Sequence, residues 1–304
     1  MTGAAPSVSV VIPTRERPHV LPRAVKSVLE QEYDGQVECL VVFDQAPVTD
    51  VPLEAGPGRA VRTLANGRTP GLAGARNAGA LEATGELLGF LDDDDEWLPD
   101  KLRRQVDCMR RTGAHAVGSG LYVCRGGRRI RRAAKGRLSY ADLLRARHME
   151  VNACTVLVDR ERFLTDIGLV DERLPGSYAE DYEWLLRVAR TGDIVSVPEP
   201  LVRIHWDDRS YFARDWPSIA AAQRYLLERY PDFGRDRRGL ARITGQISFA
   251  LAAAGRTAGA RRWAFEALRL DPRQPRPYLA MLISLGVLRA DTVLRMANAL
   301  GRGV

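Results

Sequence analysis

The stretch FLDDDDEWLP, Phe90–Pro99, decides the fold class that the sequence predicts. The apolar run Leu87–Leu91 leads into four consecutive aspartates, and a helical pattern begins at Pro99. Neighbouring carboxylates repel one another, so clustering four of them stabilises a fold only when a cation shares the site. At the end of a buried strand they offer oxygen ligands to a hard divalent ion. A solvated acidic turn that caps the next helix is the alternative, but the position directly after an apolar strand favours a metal site.

Apolar runs and helical patterns alternate on the N-terminal side of this stretch. The predicted elements there are strands at Val8–Ile12, Val37–Phe43 and Ala60–Leu64, with helices over residues 20–29 and 72–84. Pro13 is expected to end the first strand. This alternation predicts an α/β fold with a doubly wound, mostly parallel sheet, whose ligand crevice lies at the carboxyl ends of the strands.

The pattern changes on the C-terminal side. The predicted elements are a helix over residues 99–111, strands at Ala116–Cys124 and Val151–Val158, a turn or hairpin over Arg125–Arg137, a helix over Tyr178–Arg190, and short strands at Ile194–Val197 and Leu201–His205. From Asp215 onward the pattern is helical, without a strand candidate. We therefore predict an α/β domain over residues 1–214 and an all-helical C-terminal extension over residues 215–304.

The predicted extension contains one repeat signature. Gly255, Ala260, Ala267 and Pro272 stand at the spacings of the second helix of a tetratricopeptide repeat. A single repeat cannot bury its own apolar face, so these helices are expected to pack on the first domain or on a partner. Plain amphipathic helices explain the same spacing equally well.

Composition limits the class of protein. The chain has 304 residues and a net charge of +7, and all but three of its cations are arginine. A basic surface of this kind suits nucleic acid, an anionic membrane or a diphosphate ligand, and charge alone does not choose. The four cysteines form no CxxC pair, which is typical of reduced residues in an intracellular protein. Without a secretory signal or a membrane-spanning apolar run, we expect a cytoplasmic protein, with peripheral contact at the inner face of the membrane left open.

Four weaker signals accompany the acidic run, and each has a structural alternative. Arg76, in the small-residue stretch Gly71–Gly79, could reach a nucleotide or phosphate, although that stretch also suits tight helix–sheet packing. Asp44 ends the second strand and could accept hydrogen bonds from a base or ribose, or cap a helix. The pair Glu180 and Asp181 opens a helix, whose dipole keeps carboxylates ionised. An ionised carboxylate there could be a general base, or it could simply cap the helix. His205 is a lone histidine, which is more often structural than functional.

Taken together, these motifs resemble glycosyltransferase family 2, the inverting enzymes with the GT-A fold. The resemblance runs from VSVVIPTR, Val8–Arg15, through Gly71–Gly79 and Asp92–Pro99 to the pair Glu180 and Asp181, and covers residues 8 to about 210. One departure is the end of the second strand, Phe43–Ala46, where the family commonly has a second aspartate. The resemblance implies that residues 1–214 form a GT-A nucleotide-sugar-binding and catalytic domain.

The resemblance also implies a role for each matching residue. Asp181 is the expected base that takes a proton from the acceptor hydroxyl, with Glu180 beside it. Asp94 is the expected direct ligand of Mg²⁺ or Mn²⁺, Asp92 contacts the metal or the donor ribose, and Asp93 could share either role. The remaining donor-binding positions are Pro13, Thr14 and Arg15 in the base pocket, Asp44 and Arg76 at the base and ribose, and His205 at the diphosphate.

The implied reaction moves a sugar from a nucleotide-diphospho-sugar to an acceptor hydroxyl, with inversion of configuration. The acceptor is a saccharide, a lipid-linked sugar or a small molecule, as in polysaccharide, cell-envelope or natural-product glycoside synthesis. No nucleic-acid partner is expected, and homo-oligomerisation is left open. Neither the sugar, the nucleotide nor the acceptor follows from the motifs.

Two other classes of protein share some of these features. A haloacid-dehalogenase-like, magnesium-dependent phosphatase also places a DxD motif after an apolar strand, but it needs a later lysine beside the phosphate. A basic nucleic-acid-binding or scaffold protein explains the charge but not the acidic run, which would repel a phosphate backbone. The stretch Arg125–Arg137 is interpreted first as a solvated hairpin. The other hypothesis is that Arg128, Arg129, Arg131 and Arg132 face an anionic lipid surface or a lipid-diphosphate acceptor.

Overall fold

The computed structural model describes residues 4–206 and 215–299. Its strands are β1 (Val8–Thr14), β2 (Val37–Phe43), β3 (Arg59–Ala65), β4 (Leu87–Phe90), β5 (Glu96–Trp97), β6 (Ala116–Arg125), β7 (Arg128–Arg132), β8 (Arg137–Leu138), β9 (Leu157–Asp159) and β10 (Ile194–His205). Its α-helices are α1 (Leu21–Leu29), α2 (Leu72–Glu82), α3 (Lys101–Thr112), α4 (Tyr140–Arg145), α5 (Arg160–Arg162), α6 (Glu180–Thr191), α7 (Trp216–Arg229), α8 (Arg237–Ala253), α9 (Thr257–Leu270), α10 (Pro275–Ser284) and α11 (Ala290–Ala299).

The strands form one sheet in the order β3-β2-β1-β4-β9-β6-β10-β5, with β7 paired to β6 and β8 paired to β10. The pairings of β1 with β2 and β4, of β2 with β3, and of β6 with β10 are parallel. The antiparallel pairings are those of β9 with β4 and β6, of β7 with β6, and of β5 and β8 with β10. The predicted α/β class with a mostly parallel sheet and C-terminal helices is therefore confirmed.

Apolar strands buried on both faces hold the centre of the sheet. Every residue of β1 is buried, and β4 is buried throughout. Helix α1 packs its buried stripe of Leu21, Ala24, Val25 and Val28 against the same core. A strand covered on both faces needs a continuous apolar run instead of alternation, as the sequences of β1 and β4 have.

Three predicted elements differ from the structure. Pro13 does not end β1 but lies inside it, beyond the last pair of β1 with β4, so no ladder partner is lost on that side. Only the end of Val151–Val158 belongs to a strand, because Asn152 caps a 3₁₀ turn that occupies Ala153–Thr155. The two short strands predicted within residues 194–205 are the single strand β10, whose register shifts around Pro200.

The chain divides into two compact units. The first contains the described residues up to Leu143, together with His148–Glu172 and residues 180–206. The second contains Leu144–Arg147, Arg173–Ala179 and residues 215–299. The predicted domain limits at residues 1–214 and 215–304 stay a prediction.

The second unit is helical where the structure describes it beyond Asp215, as expected. Small residues let its helices approach closely: Ala260, Ala264 and Ala267 of α9 are fully buried. Gly255 has a φ of +75° in the turn between α8 and α9, a conformation that favours glycine. Of the helices in the described ranges, none is long and apolar enough to cross a membrane.

Lys101, the first residue of α3, is a buried cation in the first unit. Its side chain is fully buried, and its Nζ atom lies 3.8 Å from the centre of the Trp97 ring. The same Nζ donates a hydrogen bond of 2.6 Å to Oε1 of Gln105. Burial lowers the pKa of Lys101 to about 7, from its usual value of 10.5. The stability of this unit should therefore depend on pH above neutrality.

Replacing Lys101 with methionine is expected to flatten the pH dependence of the free energy of unfolding between pH 7 and pH 10.5. In that range the unfolded chain binds a proton that the folded protein does not. The free energy of unfolding of the unmodified protein should therefore rise with pH, by up to about 1.4 kcal/mol per pH unit. Below the folded-state pKa both states are protonated, and the stabilisation is absent. Urea titrations at several pH values measure the slope.

Lys26→Met is the matched control for this experiment. The side chain of Lys26 is exposed and pairs with Glu30 on the surface of α1, so its removal should leave the slope unchanged. A Lys101→Met protein that keeps the full slope would show that another group causes it.

Candidate active site

The ends of three parallel strands bring most of the predicted site residues to one edge of the sheet. Thr14 ends β1, Asp44 follows β2, and the acidic run Asp92–Asp95 follows β4. Because β1 pairs in parallel with both β2 and β4, these carboxyl ends are neighbours. Pro13 and Thr14 are buried, whereas Arg15 is exposed.

Two aspartates in the middle of the acidic run are held by Thr14, at the end of β1, and by two arginines that come after it in the chain. Oδ2 of Asp93 accepts a hydrogen bond of 2.7 Å from Oγ1 of Thr14. Nη1 of Arg17 lies 3.3 Å from Oδ1 of Asp93 and 2.5 Å from Oδ2 of Asp94. Nη2 of Arg23 donates to the backbone oxygen of Asp94 at 2.7 Å. The acidic run is thus fixed by cations and a hydroxyl from the neighbouring strand.

The first and last aspartates of the run have different partners. Oδ1 of Asp92 accepts a hydrogen bond of 2.7 Å from Nη2 of Arg76. Oδ1 of Asp95 accepts one of 2.9 Å from the backbone N–H of His205, and the Cys154 thiol lies 3.6 Å from its Oδ2. Within the described residues, ligand atoms of Asp92, Asp95 and Cys154 lie within 4.8 Å of one another and could hold a metal ion.

Burial and repulsion between neighbouring carboxylates raise the pKa values of Asp93, Asp94 and Asp95. Burial raises the pKa of Asp93 to about 6, although Thr14 and Arg17 oppose the shift. Burial and the negative charge of Asp92 raise the pKa of Asp94. Burial and the negative charges of Asp92 and Asp94 raise the pKa of Asp95 well above its usual value. A divalent cation would stabilise the ionised forms, so the electrostatics of the cluster suit a metal ion.

Arg76 links the acidic run to the start of α6. Its guanidinium is buried and pairs with both Asp92 and Glu180. Burial raises the pKa of Glu180, against the opposing charge of Arg76. Asp181, the next residue, is half-buried, and one of its carboxylate oxygens accepts a hydrogen bond of 2.7 Å from the backbone N–H of Tyr182. Arg76, which is expected at the base or ribose of the donor, thus contacts two carboxylates of the site, and its donor-binding role stays a prediction.

Asp44 ties the end of β2 to the start of α2. Both of its oxygens lie 3.1 Å from the backbone N of Gly71, and Oδ1 accepts a hydrogen bond of 2.7 Å from Nδ2 of Asn66. Burial would raise the pKa of Asp44, but hydrogen bonds from Asn66, Gln45 and Gly71 offset it, and the net shift is downward. The carboxylate therefore stays ionised where a nucleotide base is expected.

The small residues of Gly71–Gly79 serve close packing. A Cβ atom at Gly79 would lie 2.4 Å from Cγ1 of Val11, and one at Gly74 would lie 1.9 Å from the carbonyl oxygen of Thr69. Glycine at these positions lets α2 approach β1 and the preceding loop. The packing interpretation of this stretch is thus supported, and it places Arg76 beside the acidic run.

His205 is brought to the acidic run by the pairing of β10 with β5. Its Nε2 atom lies 2.6 Å from Oε1 of Glu96, and its backbone N–H contacts Asp95. Glu96 also pairs with Arg203 and Arg23, at 3.3 Å and 3.4 Å. The lone histidine thus belongs to the site, at the far end of the aspartate run from Asp92.

Several residues of this site were not singled out from the sequence. Arg17 and Arg23 follow β1 but belong to no local motif, and Arg203 contacts Glu96 only because two strands pair. Cys154 reaches Asp95 from a 3₁₀ turn that was expected to be part of a strand. Glu96 stood within the quoted acidic stretch, and its position directly after Asp95 was the one available signal.

Solved structures with the same architecture define the class of fold. S. aureus TarS 1-349 in complex with UDP-GlcNAc has 14% sequence identity and a TM-score of 0.59, over 97% of this chain and 92% of that one. The mannosyltransferase PcManGT from Pyrobaculum calidifontis, in complex with GDP-Man and Mn²⁺, has 18% identity and a TM-score of 0.56, over 94% and 86%. The sheet and its acidic carboxyl edge therefore define a protein of the GT-A fold.

Sequence comparison then gives the family. Residues 9–158 match the model described as Glycosyl transferase family 2, so this part of the chain is a glycosyltransferase family 2 domain. The Escherichia coli UDP-Glc:alpha-D-GlcNAc-diphosphoundecaprenol beta-1,3-glucosyltransferase WfgD is 26% identical over 193 residues, 62% of this chain and 72% of WfgD. The uncharacterized protein y4gI of Sinorhizobium fredii is 30% identical over 62% of this chain and 23% of its own length. The succinoglycan biosynthesis protein ExoO of Rhizobium meliloti is 37% identical over 39% of this chain and 34% of its own length.

Proposed function

We propose that this protein is a metal-dependent, inverting glycosyltransferase that moves a sugar from a nucleotide-diphospho-sugar to an acceptor hydroxyl. The observation that carries the proposal is the acidic run Asp92–Asp95, held at the carboxyl edge of the parallel sheet in a chain with a glycosyltransferase family 2 domain. A fold alone does not determine an activity, so the proposal rests on the charges gathered at this edge.

The donor atoms at the acidic run fit Mg²⁺ or Mn²⁺. Carboxylate oxygens are hard ligands, which both ions prefer. Burial and the nearby Asp92 and Asp95 raise the pKa of the Cys154 thiol, so it stays protonated and is a poor ligand for a hard ion. We assign the ion to Asp94, with Asp92 as second ligand, because both carboxylates are partly exposed. When bound, the metal stabilises the negative charge of the departing nucleoside diphosphate.

The residues of the chain supply the other parts of the reaction. Asp181 takes the proton of the acceptor hydroxyl as that oxygen attacks the anomeric carbon, and the nucleoside diphosphate leaves from the opposite face. Glu180, whose carboxylate is engaged by Arg76, positions Asp181 and is the second candidate for the base. His205 and Arg203 lie on the far side of the aspartates, where they can donate hydrogen bonds to the leaving diphosphate.

Thr14, Arg15 and Asp44 are proposed to bind the base and ribose, with Pro13 shaping the pocket and Asp93 keeping Thr14 in place. The support is their position at the ends of β1 and β2, beside the acidic run. The names of similar proteins contain UDP-Glc, UDP-GlcNAc and GDP-Man, so the nucleotide is a matter for experiment. Following WfgD, whose acceptor is lipid-linked, we favour a lipid-linked or saccharide acceptor in polysaccharide synthesis.

The rival functions receive less support. A phosphatase needs a lysine beside its phosphate, but Lys101 is buried against Trp97, and Lys135 lies exposed without a described contact to the acidic run. Nucleic-acid binding leaves the acidic run unexplained. The expectations of a cytoplasmic protein with peripheral membrane contact, and of an oligomer, stay predictions.

A thermal-shift screen of UDP, GDP and dTDP, each with and without Mn²⁺, tests the proposal. One nucleotide is expected to raise the melting temperature, and only with the metal. A ligand that binds the folded state alone stabilises it by roughly 2.7 kcal/mol at 100 times its Kd. The nucleotide that passes is then supplied as its sugar conjugates, and product formation is followed by mass spectrometry. No stabilisation by any nucleotide with Mn²⁺ or Mg²⁺ would contradict the proposed function.

A further inference from the structure

A cavity of about 430 Å³ lies beside the acidic run, between the β6–β7 hairpin and the end of β10. We call it the hairpin pocket. Its lining includes Arg125, Arg128 and Arg129 from the hairpin and Arg203, His205 and Trp206 from the end of β10 and the residue after it. All of these residues belong to the first unit. Within this lining, His205 and Arg203 are assigned above to the leaving diphosphate, whereas the hairpin arginines have no part in the function proposed above.

Strand register shows that several of these side chains share one face of the sheet. His205 pairs with Cys124, which pairs with Arg129, and Arg203 pairs with Tyr122, which pairs with Arg131. Directly paired residues on neighbouring strands point to the same side, and so do residues two apart on one strand. The guanidinium of Arg129 accordingly lies 5.3 Å from the centre of the Tyr122 ring. Two neighbouring rows of side chains thus carry cations to one face.

The charge of the hairpin pocket favours an anion. Residues 125–137 include no carboxylate and seven cations, Arg125, Arg128, Arg129, Arg131, Arg132, Lys135 and Arg137. Among the residues that the structure describes, Glu96 is the one carboxylate in the lining, and it already contacts His205 and Arg203. Arginine binds phosphate oxygens with two parallel hydrogen bonds, which makes phosphate the best match for this lining.

The strand order separates the hairpin pocket from the expected base and ribose of the donor nucleotide. Strands β1 and β2, which carry Thr14 and Asp44, lie on one side of β4, whereas β6 and β10 lie on the other. The acidic run follows β4 and therefore stands between the two regions. A group bound in the hairpin pocket would approach the acidic run from the side opposite the base and ribose of the donor. An acceptor is expected to enter from that side.

We propose that the hairpin pocket binds a phosphate or diphosphate group of the acceptor. This inference rests on the proposed function and narrows its substrate class to acceptors that carry phosphate next to the sugar or polyol that is glycosylated. The lining brings cations from the hairpin and from the end of β10 toward one bound group, which suits a compact phosphate better than a flat membrane surface. Trp206 provides an apolar wall beside the bound group.

Inorganic pyrophosphate in EDTA is the probe for this site, and calorimetry measures its binding. The unmodified protein is expected to bind pyrophosphate, and Arg128→Gln with Arg129→Gln should weaken binding at least about tenfold, because both changes remove a cation from the lining. Arg103→Gln with Arg111→Gln is the matched control, since it removes the same charge from exposed positions of α3. Arg128→Lys with Arg129→Lys should keep part of the affinity, because the charge stays but the two-pronged contact is lost. Circular dichroism checks that each variant is folded.

Two further measurements identify the source of the phosphate. In the protein with Arg128→Gln and Arg129→Gln, called the hairpin variant, the affinity for UDP, GDP or dTDP with Mn²⁺ should be unchanged. The KM of the hairpin variant for a phosphate-bearing acceptor should rise at least about tenfold. Equal losses of nucleotide–Mn²⁺ and pyrophosphate affinity would assign the hairpin pocket to the donor and overturn the proposal. So would a variant that loses only binding to phosphatidylglycerol vesicles. Failure of the unmodified protein to bind any nucleotide counts against the proposed function, whereas unchanged pyrophosphate affinity in the hairpin variant counts against this inference alone.

Discussion

Asp181→Asn is expected to reduce sugar transfer by about 10²–10⁴-fold, which is the usual contribution of a positioned general base. Asparagine keeps the size and the hydrogen bond of the side chain to the N–H of Tyr182, but it cannot accept a proton. Nucleotide and metal affinity should not change, because Asp181 lies at the start of α6 and not in the acidic run. Initial rates of product formation, with calorimetric titration of the nucleotide and Mn²⁺, separate the two effects.

Glu180→Gln is the informative comparison for this variant. Glu180 is buried and pairs with Arg76, so its replacement should disturb the position of Asp92 and weaken metal-dependent nucleotide binding as well as turnover. An Asp181→Asn protein that transfers sugar at the unmodified rate would show that another group is the base. Glu180 would then be the first to examine.

Asp94→Ala is expected to abolish the metal dependence of nucleotide binding. Loss of an outer-shell partner typically weakens metal affinity by about 10- to 100-fold, and loss of a direct ligand should exceed this. The variant also releases Arg17, which then pairs with Asp93 alone, so the fold should persist. Calorimetric titration with the nucleotide identified by the screen, once with Mn²⁺ and once without it, measures how far the nucleotide Kd depends on the metal.

Two controls locate the metal within the acidic stretch. Asp100→Ala removes one carboxylate just outside it, at the N-cap of α3, where no side-chain cap bond is made, and should leave metal dependence intact. Asp95→Asn keeps the shape of a fully buried side chain that accepts a hydrogen bond from His205. If Asp95→Asn abolishes metal dependence and Asp94→Ala does not, the ion belongs to Asp92 and Asp95, and the assignment to Asp94 is wrong.

The sequence was sufficient for the parts of the fold that local patterns determine. The run Leu87–Leu91 followed by aspartates correctly predicted a buried strand that ends in an acidic edge, because a strand buried on both faces needs continuous apolar residues. The helical pattern after Asp215 was also confirmed within the described residues. The 3₁₀ turn at Ala153–Thr155 was missed because β-branched and apolar residues outweighed the capping signal of Asn152.

Long-range partners could not be predicted in the same way. Arg17 and Arg23 reach the acidic run only because β1 and β4 are neighbours in the sheet, and no local spacing encodes that pairing. The role expected for Arg76 came from a resemblance, whereas its contacts with Asp92 and Glu180 depend on how α2 and α6 approach the edge. The roles of the site residues themselves stay predictions until the variants above are measured.

The position of Arg76 has a consequence for protein engineering. One guanidinium holds two carboxylates of the candidate site, one just after β4 and one at the start of α6. A displacement of about 1 Å at a catalytic group can cost roughly 100-fold in rate, and this arrangement would pass such a displacement from one carboxylate to the other. Libraries that randomise residue 180 to broaden acceptor choice should therefore lose affinity for the sugar nucleotide, whereas libraries in the β6–β7 hairpin should not.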